Sequence, residues 1–290
     1  MNDSQTKLNT MKKIILFISA ALLSFGIEAQ VKTPQPSPTS KIEQVIGLTD
    51  VAVEYSRPSM KGRTIFGNLV PFDKLWRTGA NKNTQITFSD DVKVGGKELK
   101  KGTYAVFTKP GKENWEVIFY SDANNWGTPR EWDDAKVAAK TTVKANTLPM
   151  NVETFTIMFS DFTMNSAVLN FIWANTEAAV TLEVPSKKIA LASIEKTMAG
   201  PSDGDHYQAA VFYKDIEDYA KAKEHIDKAI AMRENPAFWY HRQQSLIYAK
   251  TGDKPGAIKA AKKSLELAET AGNADYVKLN KDSLSEWGAK

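Results

Sequence analysis

The sequence predicts two unlike parts: an all-β antiparallel domain of sandwich or barrel type, then an all-α helical array. Three observations point there. Between Ile42 and Val184 apolar residues recur mostly at every second position, the period of a half-buried strand. Hairpin-type turn signals separate these runs, and no alternation of strands with helices suggests a parallel sheet. At Pro185-Ser186 the period changes to that of a helix, and a repeat appears.

Ahead of both parts, Lys12 and Lys13 precede an apolar run from Ile14 to Leu23, and a short region closes at Ala29. This is the charged, apolar, small-residue order of a secretory signal peptide. The run is shorter than the roughly 20 residues that span a bilayer. Residues 1–29 are expected to be the signal, with Met11 the start and cleavage between Ala29 and Gln30. No acceptor cysteine follows for a lipid. After cleavage no transmembrane segment remains, and the expected location is the periplasm or the medium. Residues 30–40 carry Pro34, Pro36 and Pro38 among polar neighbours and read as an extended linker.

Residues 41–185 are the expected β domain. Val51, Val53 and Tyr55 share one strand face, and Ile86 and Phe88 alternate with Gln85 and Thr87. Val92 and Val94 lead into Gly95-Gly96, a two-residue hairpin signal, and the chain returns through Lys97 to Leu99. Tyr104 and Val106 run to a turn at Pro110-Gly111, followed by Trp115, Val117 and Phe119. Phe155, Ile157 and Phe159 form a further set, then Leu169, Phe171 and Trp173, then Val180, Leu182 and Val184. Many short alternating runs of this kind make a sandwich or barrel.

Residues 186–290 are the expected helical domain. Tyr213, Ala222, Ile226 and Ala229 are matched by Tyr248, Ala257, Ala261 and Ser264, at a constant offset of 35 residues. That spacing, with small residues where paired helices cross, resembles tetratricopeptide repeats, whose period is about 34. Two units fall short of the roughly three that stand alone, so helices over 187–199 and 274–287 are expected to cap the ends.

Composition narrows the function. Of 290 residues 42% are hydrophobic and 25% charged, which is ordinary for a globular protein. The net charge of +4 does not support a nucleic-acid partner. The absence of cysteine excludes disulfides, thiolate metal sites and a cysteine nucleophile. His206, His225 and His241 all lie in the helical part, none three or four apart, so they form no helical metal pair and read as packing or surface residues. No cofactor and no metal are implied.

Two motifs lose their sharper readings. Gly200-Pro201-Ser202-Asp203-Gly204 fits the serine-hydrolase pattern, but that motif needs a preceding strand. A helix stop followed by a Ser or Asp N-cap fits better. Asp122, Asn124, Gly127 and Asp133 fall at calcium-loop positions, but Trp126 occupies a ligand position and Pro129 breaks the loop.

Two loops carry the site expectations. Between Arg57 and Asn83 the alternation fails, and Arg57, Lys61, Arg63, Lys74, Arg77 and Lys82 face the single acid Asp73. Gly62, Gly67 and Gly79 lie in the same stretch, with Phe66, Phe72 and Trp76. Arginine forks with glycine-exposed amides suit a carboxylate, phosphate or sulfate. A packed loop whose aromatics plug the end of the sandwich fits the same residues. Ser121 to Ala135 holds Asp122, Asn124, Asn125, Trp126, Arg130 and Trp132, which suits a stacked and hydrogen-bonded sugar or, equally, a Trp-anchored surface loop. The candidate ligand residues are Arg57, Lys61, Arg63, Trp76, Arg77, Asn81, Trp126 and Trp132. No carboxylate spacing picks out catalytic residues.

The run from Tyr55 to Arg63 (Tyr-Ser-Arg-Pro-Ser-Met-Lys-Gly-Arg), then Phe66-Gly67, then Leu75-Trp-Arg-Thr-Gly-Ala-Asn81, resembles an uncharacterised family of exported bacterial domains, domain of unknown function 2911. Val92-Lys93-Val94, Gly102-Thr103-Tyr104 and Trp126-Gly127 support it. The resemblance covers roughly residues 35–184 and implies an envelope β-domain, with no catalytic residues to carry over. The expected function is a non-enzymatic envelope binding or assembly protein. Its β-domain would hold a small anionic or sugar-like ligand, and its repeats would contact a protein or peptide. The alternative is a carboxylate-dependent hydrolase of envelope glycan or peptide.

Overall fold

The structure is a computed structural model that describes residues 33–289. The signal region 1–29, its cleavage point and the first linker residues, 30–32, lie outside the described residues. Residues 33–38 carry no helix or strand.

Nine antiparallel strands follow: β1 (Thr39–Ile46), β2 (Thr49–Ser56), β3 (Thr84–Phe88), β4 (Val92–Val94), β5 (Lys97–Leu99), β6 (Gly102–Pro110), β7 (Asn114–Tyr120), β8 (Val137–Ser160) and β9 (Ser166–Glu183). They lie in the order β1-β2-β3-β6-β7-β8-β9-β4-β5. The Gly95-Gly96 turn has φ of +54° and +78°, as a two-residue hairpin of right-handed twist requires.

The long strands fold this ribbon into two layers. The first part of β8 pairs with β7, up to Lys144 opposite Asn114. From Ala145 onward β8 pairs with β9 instead, with register shifts between Thr147 and Val152 and between Val152 and Thr156. Bulges of this kind bend strands and let them change sheets. The alternating apolar faces then meet in one core, which includes Tyr55, Ile86, Trp115, Phe119, Phe155, Phe171, Trp173 and Leu182. Tyr55 joins the layers: its hydroxyl donates to the Ile157 carbonyl at 3.3 Å and accepts from the Ile157 amide at 3.0 Å. Burying each large apolar side chain stabilises by about 1.5–3 kcal/mol.

The sequence under-reads the last two strands. Leu169–Trp173 and Val180–Leu182, separate sets in the pattern, belong to the single strand β9, kinked at Ala174 with φ +52°. The first half of β8 carries no apolar alternation because only Ala139 is buried before Phe155.

Among the described residues six α-helices follow the sheet: α1 (Ser186–Thr197), α2 (Asp203–Asp215), α3 (Tyr219–Ala231), α4 (Phe238–Lys250), α5 (Lys254–Thr270) and α6 (Ala274–Glu286). Four of these six starts carry a side-chain cap. Ser202 and Asp205 form a capping box on α2, Asp218 and Asp253 cap α3 and α5, and Asn273 caps α6. Helix α2 packs on α3, and α4 on α5. Ala222, Ala229, Ala257, Ala261 and Ser264 are fully buried at the crossings, so backbones approach closely there. Tyr213 is buried and its repeat partner Tyr248 half-buried. Among the described residues no helix is long and apolar enough to cross a membrane.

Hydrogen bonds fix the junction between sheet and helices. The buried Ser186 hydroxyl accepts from the Leu48 amide at 3.0 Å, and the Asn165 side chain accepts from the Lys187 amide at 3.1 Å. A Cβ on Gly47 would stand 1.9 Å from Ser186 Oγ and 2.3 Å from the Met164 carbonyl oxygen. Only glycine fits that turn.

Candidate functional site

The basic loop fastens itself to the sheet at its first end. Arg57 donates from Nε to the Phe155 carbonyl (3.1 Å) and from Nη2 to Thr156 Oγ1 (2.9 Å). Arg63 donates to the carbonyls of Met60 (2.8 Å) and Ser59 (2.6 Å). The Lys61 amide donates to Glu153 Oε1, and the Met60 amide to the Glu153 carbonyl, both at 2.8 Å. Arg57, Lys61 and Arg63 therefore stabilise a loop conformation, with each guanidinium bonded to two protein acceptors.

Two of the candidate tryptophans are packing residues. Trp76 stacks on Trp173 with centroids 5.8 Å apart, touches Phe66, Trp115 and Phe155 edge-on, and donates to the Gly79 carbonyl. Trp132 stacks on Tyr120 at 4.5 Å over the outer face of β6 and β7, and donates to Asp134.

The far end of the basic loop behaves differently. Thr78 is fully buried yet has φ +55°, a strained setting for a β-branched residue. Gly79 at φ +154° and Asn81 at φ +57° follow it. Surrounding bonds hold this shape. Thr78 Oγ1 donates to Thr108 Oγ1 (3.1 Å), Thr84 Oγ1 donates to the Thr78 carbonyl (2.5 Å), and the Trp76 and Thr108 backbones pair at 2.7 and 2.9 Å. Strain maintained in this way clusters at functional sites.

That strained end meets the second loop. Buried Asn83 accepts from the Asn125 amide at 2.8 Å, and its own amide donates to the Asn125 carbonyl at 3.1 Å. Its side chain also donates to the Ala123 and Thr84 carbonyls. Gln85 adds a 2.6 Å bond to the Ala123 carbonyl. The next residues on this fixed loop are Trp126, 80% exposed, and Gly127, φ +92°. Arg77 Nη1 lies 2.9 Å from where a Cβ on Gly127 would sit. Arg77 is half-buried, its Nε is wholly shielded, and among the described residues its side chain makes no hydrogen bond or ion pair. Thus the Arg77 guanidinium lies against Gly127, the residue that follows the exposed Trp126, and Asn81 sits in the strained segment beside it. Its Nδ2 donates to Ser56 Oγ at 3.4 Å.

The helical part contains a pair that spacing concealed. His206 and His225 lie 19 residues apart but face each other across α2 and α3, Nδ1 to Nδ1 at 2.9 Å. Tyr213 stacks on His225 at 5.4 Å. Burial holds His225 below the ordinary histidine range, and the neighbouring His206 pushes the same way. Burial also lowers His241. Further along, Arg242 of α4 donates to Ser283 of α6 at 3.0 Å, Tyr207 packs on Tyr240, and Phe238 on Tyr276. Trp239 is partly exposed beside them.

Residues 37–182, half of the chain, match the model of a family described as protein of unknown function, DUF2911. The chain belongs to that family. Its DUF2911 domain thus contains both loops and nearly all of the sheet. Over 66 residues the chain is also 38% identical to a TPR repeat-containing protein of Methanocaldococcus jannaschii. That stretch is 23% of this chain and 11% of the relative, so the chain spans only a small part of that relative's length. No solved structure matches.

Outside the Arg77 corner, the DUF2911 domain's other motifs have structural explanations. Asp122 Oδ2 accepts from Lys136 at 3.2 Å, and Asp133 caps a short 3-10 turn. Among the described residues no group of three histidine, aspartate or glutamate side chains is placed to hold a metal. Beyond the domain, Ser202 of the hydrolase-like motif is the N-cap of α2.

Proposed function

We propose that this protein is a non-enzymatic binding or assembly factor of the bacterial envelope. In this reading the DUF2911 domain is a ligand module, and the helical array takes a protein or peptide partner. The observation that carries it is the shared register of two helix pairs. Ala222 on α3 and Ala257 on α5 are fully buried at equivalent crossings, 35 residues apart. Such stacked pairs present extended surfaces that bind other chains. The similarity to a TPR repeat-containing protein supports it. Aromatic side chains at the array's surface, such as Trp239, suit an interface anchor.

The order of Lys12-Lys13, the apolar run Ile14–Leu23 and Ala29, which is that of a secretory signal, supports the envelope setting. Sequencing the protein from a periplasmic fraction is expected to begin at Gln30. For the array, quantitative cross-linking capture in the native envelope compares wild type with Trp239→Ala. A specific partner should be enriched by the former and reduced several-fold by the latter. Identical capture profiles would remove the interaction reading.

A further inference from the structure

We propose that Arg77 and Trp126 form the binding site of the DUF2911 domain for a carboxylated sugar. The inference rests on the ligand-module half of the reading above and names the ligand's chemistry.

Arg77 supplies the first half of the argument. A guanidinium carries five donors and stays charged at all ordinary pH. Partly removed from water, it needs an acceptor, and leaving a buried donor unpaired is costly. Arg57 and Arg63, in the same loop, meet this need with two protein acceptors each. Arg77 meets it with none among the described residues, and its Nε is fully shielded. Nor is its place accidental. The adjacent backbone keeps Thr78 in a left-handed conformation that its type disfavours. With Nε shielded, the two terminal Nη groups are the donors open to a ligand, and a planar oxyanion that accepts two parallel bonds is their natural complement.

Trp126 supplies the second half. Its side chain is 80% exposed, so the favourable burial of a large aromatic surface is left unused. A mobile loop would explain that exposure easily, but this loop is held by the Asn83 amide and by Gln85. The sheet therefore presents the indole on a fixed support. An exposed indole on a fixed loop is a stacking platform for the flat C–H face of a sugar ring. Gly127 links the two halves. It follows Trp126 directly, and its missing side chain leaves room for the Arg77 guanidinium. Asn124, exposed on the same loop, adds an amide for ring hydroxyls. A carboxylate joined to a pyranose ring satisfies both halves at once. A neutral sugar leaves Arg77 unpaired, and a simple anion leaves Trp126 bare.

The test is a binding panel on the full protein. The probes are galacturonate, glucuronate and N-acetylneuraminate, against galactose, glucose, acetate and inorganic phosphate. The readouts are the melting midpoint and the tryptophan emission change lost in Trp126→Phe. At least one acidic sugar is expected to bind tenfold or more tightly than its neutral or ring-free counterparts. Arg77→Gln and Trp126→Ala should each weaken it by tenfold or more. Trp126→Ala changes an exposed side chain and should fold normally, which keeps the test valid if Arg77→Gln does not. If acetate or phosphate binds Arg77 as well as any acidic sugar does, the sugar assignment falls while the ligand module stands. If no probe binds, or the variants bind like wild type, this assignment and the ligand-module reading fall together, leaving the helical interaction reading to its own test.

Discussion

His206 on α2 and His225 on α3 point their Nδ1 atoms at each other across 2.9 Å, so one ring donates and the other accepts. The arrangement holds while the pair shares a single proton between these nitrogens. A second proton there would set two N–H groups face to face. Tyr213, stacked on His225, blocks one side. Of the charged groups around the pair, Glu224 favours protonation of His225, while Lys228 and Lys221 oppose it.

The sign of the pH dependence follows from the lowered value of His225. A histidine depressed in the folded state binds its proton more readily when unfolded. Its contribution is fully present above the ordinary value of 6.5 and is lost as pH falls below that through the folded value. The melting midpoint is therefore expected to drop between pH 7 and pH 5. His241 shifts in the same direction, so the decisive quantity is the difference between wild type and His225→Phe. A pH-independent difference would contradict the role assigned to the pair.

Asn83→Ala removes the side chain that holds the second loop. It strips the amide of Asn125 of its acceptor and the Ala123 carbonyl of one donor. Leaving a buried group unpaired costs about 1–3 kcal/mol. Denaturant unfolding should show a loss of that size, and hydrogen exchange at Asn125 should quicken. A loss below a few tenths of a kcal/mol would mean that the loop is held by other contacts.

Ala257→Leu inserts three carbons where α5 crosses α4 with no free surface. Overpacking of this kind costs about 1–3 kcal/mol. Ala222→Leu should cost a similar amount at the equivalent crossing between α2 and α3. Thermal unfolding of both variants checks the repeat register, and an unchanged midpoint in either refutes it at that crossing.

Gly47→Ala tests the junction. The added carbon collides with Ser186 Oγ and the Met164 carbonyl, and the residue sits at φ +57°. The left-handed setting alone costs about 1–2 kcal/mol for a residue with a side chain. The amides of Leu48 and Lys187 are expected to lose exchange protection while Ile157 and Phe171 keep theirs. Equal loss throughout the sheet would show that the junction belongs to the core of the β-domain.

Local chemistry made much of this architecture readable from the chain alone. The alternation at Val51–Tyr55 and Trp115–Phe119, the Gly95-Gly96 turn, the Ser202 cap and the 35-residue repeat each depend on neighbours a few positions away or on periodic burial. Such signals survive in one dimension because the backbone period is fixed. The first half of β8 was not readable, because its faces bury almost nothing and strand pairing there depends on partners elsewhere in the chain. The candidate residues were legible as residue types, but their roles were not. Arg57 and Arg77 look alike in sequence, yet one reaches carbonyl and hydroxyl oxygens nearly a hundred positions away while the Nε of the other is shielded with no partner among the described residues. Asn83 meets Asn125, and His206 meets His225, only after strands and helices have packed. The sequence by itself determined the period, the turns and the caps. Tertiary structure alone decided which polar groups are satisfied, because that depends on which distant acceptors the fold brings within hydrogen-bond reach.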